Sequence, residues 1–506
     1  MGMQRKKNRT KQVCSLAALL LMLITVFFCF SAAAASQDEE QSNGTGKKYI
    51  IAMDTTFAPF EFEDSQGNRV GIDVELLEAI AKDQGFEYEA RAIGFDAALQ
   101  AVESGQADGI LAGCSITEER QKKMDFSTPY FDSGISMAVS KDNDSIQSYE
   151  DLRGKKVAVK VGTEGATLAN KLSEQYGFSV VTFDDSANMY EDVKLGNTAA
   201  CFEDYPVLGY AISQDIGLKL VGEKEAGSSY GLGVKKGQNA ELLQMFNDGL
   251  ENVKASGEYQ RILDSYISSG DGTAANVESN EGVNFFTLLG TTFPRFIQAA
   301  GVTLWITAVS LVFAVVLGLL FCALRLSKYK VLHAIARVYL WIIRGTPVIV
   351  QAFMIYFGIP KLFGFTMPVE VASIITLTLN AGAYLSEIFR SGIEAVDVGQ
   401  MEAARSLGLP YMKTMQKVIL PQAARIVIPS VINQFIITLK DSSILSVIGL
   451  AELTKVGKAI VAQNLESFNT YLILAIYYLI LVSLLTALSA VVERRLSRGK
   501  LKGTSN

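Results

Sequence analysis

Residues 402 to 421 read EAARSLGLPYMKTMQKVILP and lie between hydrophobic runs in the last quarter of a 506-residue chain. A charged segment in that setting belongs to a loop outside the bilayer, and its small residues describe a helix made for close contact. Ala403 and Ala404 let another backbone approach. Gly408 is placed to end the helix in the left-handed region without steric cost. Pro421 is placed to keep the next helix from starting early, and Glu402 to put an acid in the first turn, where the helix dipole favours it. Together these residues describe a short helix whose small side chains allow close contact.

Charge divides the chain around this loop. Between Gln37 and Asn284 there are about 43 acidic and about 21 basic residues, whereas from Phe285 onward there are about 9 acidic and about 20 basic. The first part reads as an acidic soluble domain and the second as a basic-rimmed membrane domain. Apolar spans are expected at roughly 299 to 324, 335 to 359, 368 to 388, 426 to 449 and 470 to 492. Arg325, Lys328, Lys330 and Arg337 come after the first span; Arg390, Arg405, Lys413 and Lys417 crowd the 402–421 loop; Arg494, Arg495, Arg498, Lys500 and Lys502 fill the tail. All three clusters are cytoplasmic if the first span starts outside.

The amino terminus independently requires that arrangement. Arg5, Lys6, Lys7, Arg9 and Lys11 precede an apolar run from Val13 to Phe30, then Ser31 and four alanines, the order of an export signal over residues 1–36. The run is also long enough to be kept as an anchor; either way, the domain beyond it lies outside the cytoplasm. Cys114 and Cys201 are the only cysteines of the exported part, which leaves a single bridge at most. His333 is the only histidine, so a zinc site or histidine-based hydrolytic triad lacks its ligands. No phosphate-binding Gly-x4-Gly-Lys-Ser/Thr loop is present either. No metal, cofactor or catalytic residue is expected, and no nucleic-acid partner.

From Lys47 short β-type runs (YIIAM, VAVKV, LGVKK) alternate with helical stretches such as Val74 to Asp83 and Ala97 to Ser104, the pattern of an α/β domain with mostly parallel sheets. Ligands of such folds sit at the carboxyl ends of strands. DTTFAPFEF at 54–62, the segment from Gly94 to Tyr130 and Glu203-Asp204-Tyr205-Pro206 fall at such ends. In order and spacing they resemble the periplasmic-type receptors for polar amino acids, and most closely those for glutamine.

That resemblance implies a two-lobed type II-like fold over residues 44–268 and a role for each matching residue. Arg120 corresponds to the guanidinium that grips the α-carboxylate, Gly113, Ser115 and Thr163 to added backbone or hydroxyl contacts, and Asp204 to the ammonium acceptor. Phe57 and Phe95 correspond to aromatic walls, and Asp54 with Lys160 to a pair at the amide end. Each has an ordinary reading as surface charge, core or helix cap; their joint arrival at strand ends favours a binding site. Glu203 stands where glutamine receptors commonly carry His, which loosens the assignment to glutamine. Segments 134–142 and 228–237 resemble the paired strands that join the lobes, and residues 269–284 read as a tether.

The 402–421 loop resembles the coupling loop of binding-protein-dependent ABC importers, whose pattern is Glu-Ala-Ala, three residues, Gly, nine residues, Ile, one residue, Leu-Pro. Glu402, Ala403, Ala404, Gly408, Leu420 and Pro421 match, and Val418 stands at the Ile position. The resemblance implies an all-α permease domain over 285–496, with its cytoplasmic loop at 390–421 docking a separate ATPase dimer, and a homodimer, because five spans supply half of a translocation path. Arg344-Gly345-Thr346-Pro347-Val348 and Lys440-Asp441-Ser442-Ser443 resemble further permease signatures, although Lys440 and Asp441 also read as a mutual pair and Gly345 and Pro347 as a kink. The rival is a ligand-gated channel of the ionotropic glutamate receptor type. It would interrupt the receptor with its spans and carry a Gly-Tyr-Gly filter, and neither feature is present.

Overall fold

Glycine-bounded apolar runs become two five-stranded sheets in the computed structural model, which describes residues 47–54, 56–64, 67–267, 284–464 and 467–498. The export signal and nearly all of the tether lie outside the described residues. The first sheet has the order β4-β1-β5-β12-β6, with β1 Lys48–Met53, β4 Glu87–Ala92, β5 Gly109–Ile110, β6 Met124–Phe126 and β12 Gly233–Lys235. The second has the order β11-β7-β10-β8-β9, with β7 Phe131–Ser140, β8 Lys156–Lys160, β9 Ser179–Phe183, β10 Ala200–Asp204 and β11 Leu218–Tyr230. A small hairpin, β2 Phe62–Glu63 and β3 Arg69–Val70, precedes the first helix.

The pairs β1–β5, β8–β9 and β8–β10 are parallel, but β5–β12, β12–β6, β10–β7 and β7–β11 are antiparallel, so the sheets are mixed where mostly parallel ones were expected. β12 and β7 run antiparallel to their neighbours because the chain crosses between lobes twice and returns reversed. The crossings lie at residues 127–130 and 231–232, so β7 already belongs to the second sheet at Phe131, ahead of the expected 134–142 segment. Helices α1 Ile72–Gln84, α2 Phe95–Ser104 and the short α3 Glu118–Gln121 belong to the first lobe; α4 Glu164–Tyr176, α5 Ser186–Lys194 and α6 Tyr205–Ser213 belong to the second. α7 Ala240–Ala255 and α8 Glu258–Tyr266 return to the first, where Phe246 and Leu250 join Leu76 and Ile80 in one core. Cys114 and Cys201 are buried in different lobes as free thiols, so no bridge forms.

The membrane half begins with α9 Phe285–Arg325, a 41-residue helix. At 1.5 Å per residue it is about 60 Å long, twice a hydrocarbon core, and so extends well beyond the expected 299–324 span. The second expected span is broken at Gly345-Thr346-Pro347 into α10 Lys330–Gly345 and α11 Val348–Phe363, bent by 108°. α12 Val369–Glu394, the loop helix α13 Val398–Ser406, α14 Tyr411–Ile448, α15 Leu453–Asn464 and α16 Ser467–Arg498 complete it. Among the described residues four helices are long and apolar enough to cross a membrane, or five if the bent pair counts as one.

Two local expectations for the loop are corrected. Asp397, not Glu402, serves the start of α13, its carboxylate accepting the Gly399 N–H at 2.7 Å, and Glu402 sits one turn further in. Pro421 does not delay the next helix, which begins at Tyr411. A π-turn at Met415–Ile419 immediately precedes it and accommodates a residue with no N–H to give.

Candidate functional site

The candidate receptor site brings together residues of both sheets across the cleft between the lobes. Asp54 comes directly after β1 and Lys160 ends β8; both are buried, and the ammonium donates to the carboxylate across the cleft. Burial alone would lower the Lys160 pKa, but the carboxylates of Asp54 and Glu203 outweigh it and hold the lysine protonated above its usual range. Lys160 Nζ also stands 5.2 Å from the centre of the Phe57 ring. The pair therefore forms a dry, charged floor beside an aromatic wall.

Arg120 makes the second link between lobes. Its Nη1 donates to Ser115 O at 2.8 Å within its own lobe, and its Nη2 donates to Gly162 O at 2.9 Å in the other. The guanidinium lies 5.1 Å from the Phe95 ring centre. Gly162 immediately precedes Thr163, the N-cap of α4, whose Oγ1 accepts from Ala166 N at 3.2 Å and donates to Lys160 O at 2.8 Å. A fork of five donors thus faces the positive end of a 13-residue helix, an arrangement suited to a carboxylate.

Gly113 has a left-handed φ of 51°, and its missing Cβ leaves the space that the Phe57 ring occupies. Its N–H is committed to Asp73 Oδ2 at 2.8 Å, so its evident task is to let Phe57 lie flat over the floor. Ser115 bridges to Tyr230 at the lobe crossing. Asp204, at the end of β10, accepts from Ser133 Oγ at 3.1 Å, and burial followed by the Glu203 charge pushes its pKa up to about 7. All nine candidate positions therefore lie on the cleft-facing ends of the two lobes or their crossing.

Three features were not anticipated. Tyr230, fully buried, packs against Phe57, Phe60 and Phe131 and closes the aromatic side of the cleft; the sequence marked its segment only as a crossing. Glu203 points to the other face of β10 from Asp204, where it accepts from Ser186 Oγ at 2.7 Å and from Asp204 N at 3.3 Å, and its charge still reaches Asp204. Beneath Phe57, Glu61 and Asp73 form a buried carboxyl pair. Burial, then the charge of Asp73, holds Glu61 well above the carboxylate range. Burial raises Asp73 to about 6 although Gly113 N and Tyr130 Oη donate to it. Both acids lie within ordinary-looking sequence, with no spacing that signals their meeting.

In the permease, α13 and the residues just after it present Glu402, Ala403, Leu407 and Gly408 outward. Ala404 is turned inward and buried, so it supports the permease's own packing instead of offering a surface. Gly408 has φ 83° just past the helix, the expected left-handed stop. Lys440 is exposed and Asp441 is approached by Asn380 Nδ2 at 3.5 Å, so the two do not form the mutual pair.

Residues 49–269 match the family described as bacterial extracellular solute-binding proteins, family 3, and residues 310–498 match that described as binding-protein-dependent transport system inner membrane component. The membrane half is 39% identical over 208 residues to the probable amino-acid permease protein YxeN of Bacillus subtilis strain 168, covering 41% of this chain and 93% of that protein. It is 36% identical over 203 residues to the arginine transport system permease protein ArtQ of the same organism, and 37% identical over 204 residues to the glutamine transport system permease protein GlnP of Escherichia coli K12; each covers 40% of this chain and 93% of the relative. The receptor half is 42% identical to the solved second substrate-binding domain of Lactococcus lactis GlnP, covering 45% of this chain and 98% of that one, with a TM-score of 0.36. An ancestral arginine-binding protein bound to arginine is 40% identical, covering 43% and 96%, with a TM-score of 0.41.

Proposed function

The chain belongs to the binding-protein-dependent transport system inner membrane components, with a family-3 extracellular solute-binding domain fused ahead of its permease, and from that premise we propose that the amino acid it imports is glutamine. The ligand-gated channel reading falls, since residues 310–498 are those of a permease. The observation that carries the ligand is the buried Asp54–Lys160 pair at the floor of the aromatic slot. A primary amide donates to Asp54 and accepts from Lys160, so it satisfies both charges. A guanidinium or ammonium would meet Lys160 as a like charge, and at 4 Å that repulsion is about 4 kcal/mol in a medium of effective dielectric 20. A γ-carboxylate would meet Asp54 in the same way.

At the other end Arg120 and the α4 amino terminus hold the α-carboxylate and Asp204 accepts the α-ammonium. A second reading, arginine, draws on the surplus of buried acids around the floor, namely Asp54, Glu61, Asp73, Glu203 and Asp204. Competition against labelled glutamine on the purified protein at pH 7 separates the two. Glutamine is expected to exceed glutamate and arginine by about tenfold or more. If arginine, glutamate or cystine wins, the ligand is wrong while the amino-acid transporter stands.

Transport in this reading takes two copies of the chain, each supplying half of the path, and two ATPase subunits seated on the paired α13 helices. ATP hydrolysis is the partner's chemistry; this chain contributes binding, closure and the passage.

A further inference from the structure

Arg344, in the Arg-Gly-Thr-Pro segment, is not absorbed by amino-acid binding or by ATPase docking. It lines a cavity of ≈ 440 Å³ with Arg325, Arg337, Trp341, Tyr384 and Glu387. The basic clusters place this cavity toward the cytosolic side, because Arg325 closes α9 directly before Lys328 and Lys330. Glu387 is approached by three guanidiniums, Arg325, Arg390 at 3.0 Å and Arg344 at 3.6 Å; Arg390, outside the lining, also pairs with Glu394, whereas Glu387 is the one acid of the lining. Arg344 also rests over the Tyr384 ring, 5.4 Å from its centre. Arg337 is exposed and has no carboxylate partner among the described residues. The lining therefore holds more positive charge than its one acid can balance, in a membrane domain where uncompensated charge is costly.

The rim of the cavity is apolar. Because the chain turns by 108° after Gly345, α10 is not the straight continuation of a span, and it presents Val338, Trp341 and Ile342 to the outside beside Arg337 and Arg344. Trp341 is 76% exposed. Exposed tryptophan at a membrane protein's rim marks the headgroup level, and basic pockets between membrane helices on the cytosolic side accept anionic headgroups. Planar guanidiniums recognise phosphate in paired hydrogen bonds.

We propose that the cavity between Arg325, Arg337, Arg344 and Trp341 binds the phosphate of an anionic lipid headgroup from the cytosolic leaflet, the acyl chains lying along the apolar face of α10. Phosphate chemistry is shared with free phosphate ions, and the test must tell them apart. The purified full-length protein is heated in detergent with added phosphatidylglycerol, phosphatidylcholine or inorganic phosphate, and lipid retained on the intact protein is counted by native mass spectrometry. Phosphatidylglycerol is expected to raise the melting temperature and to remain bound, while the other two do neither. Arg337→Gln with Arg344→Gln is expected to weaken retention about tenfold, with Arg425→Gln, an exposed arginine of α14 outside the cavity lining, unchanged and amino-acid binding by the receptor domain intact in both. Arg337→Gln alone removes a charge that has no carboxylate partner, so reduced lipid retention without a fall in lipid-free melting temperature separates binding from folding. Equal stabilisation by inorganic phosphate or by phosphatidylcholine overturns the proposal, as does undiminished phosphatidylglycerol retention in the double variant.

Discussion

Arg120 shows how one residue's meaning depends on what the fold brings to it. In sequence it is a charge within Thr-Glu-Glu-Arg; in space it joins the lobes through Ser115 O and Gly162 O and rests against Phe95. A ligand carboxylate in the closed cleft would draw on the same donors, so Arg120→Ala is expected to abolish binding, at about 2 to 5 kcal/mol for removing one partner of a buried charged pair. Calorimetry giving affinity within about threefold of the parent would remove Arg120 from the site. Asp204 adds a pH dependence. Its pKa is raised from 3.8 to about 7, so the folded domain takes up a proton there that the unfolded chain does not. The associated stability is fully present below 3.8 and is lost as pH rises through 7, whereas an ammonium ligand needs the carboxylate ionised. Affinity should therefore fall by about tenfold per pH unit below 7 while the ligand-free melting temperature, as far as Asp204 governs it, moves the other way. Calorimetric titrations across pH 5 to 8 that show flat affinity would exclude Asp204 as the ammonium acceptor. Asp54 and Lys160 were legible because each stands at the end of a strand within a recognisable motif, and Arg120 because it closes the run Ser115-Ile116-Thr117-Glu118-Glu119-Arg120, although it lies in the short helix α3 and not at a strand end. Tyr230 and the Glu61–Asp73 pair were not, since they depend on two chain crossings and a hairpin that no local pattern encodes.

At the scale of elements, the loop helix was legible in its position and less so in its orientation. Its Gly408 stop and small residues come from local backbone chemistry. Which alanine faces outward depends on how α13 packs, and it is Ala403 that is exposed and Ala404 that is buried. A bulky residue at Ala404 therefore disturbs the permease itself and does not isolate coupling. Ala403→Trp is the cleaner variant, expected to overpack the proposed contact with an ATPase by about 1 to 3 kcal/mol. In proteoliposomes with the cognate ATPase it should retain full ligand affinity yet lose ligand-stimulated ATP hydrolysis. Undiminished stimulation would show that this face of α13 does not carry the signal. The break in the second span was foreshadowed by Gly345 and Pro347, but the π-turn ahead of Pro421 was not, because only the continuing helix on both sides makes such a turn necessary.

Across the whole molecule, the receptor and permease share one apolar core, in which Ile93, Phe95 and Ala98 from the first lobe join Ile306, Tyr356 and Ile448 from the membrane half. Polar contacts border it. Glu63 pairs with Arg295 on the extended part of α9. Gln106, almost wholly buried, donates to Phe365 O at 3.3 Å and accepts from Met367 N at 2.8 Å. From the second lobe, Asn188 Nδ2 donates to Tyr471 Oη at 3.2 Å. Both lobes are thus in contact with the permease, and any change in the angle between them must alter contacts on at least one side. That is a physical route from ligand closure to the membrane domain, and it explains why α9 is twice as long as a bilayer requires. Nothing in the sequence of Glu63 or Gln106 announces a partner more than two hundred residues away. Arg295→Glu would set two acids against each other at a largely shielded position, a loss on the order of 1 kcal/mol expected to lower uptake without changing ligand affinity. The exchanged pair, Glu63→Arg with Arg295→Glu, should recover most of the uptake. If the double variant instead shows the sum of the two single losses, Glu63 and Arg295 do not act on each other, and the signal must pass through Gln106 and the shared core.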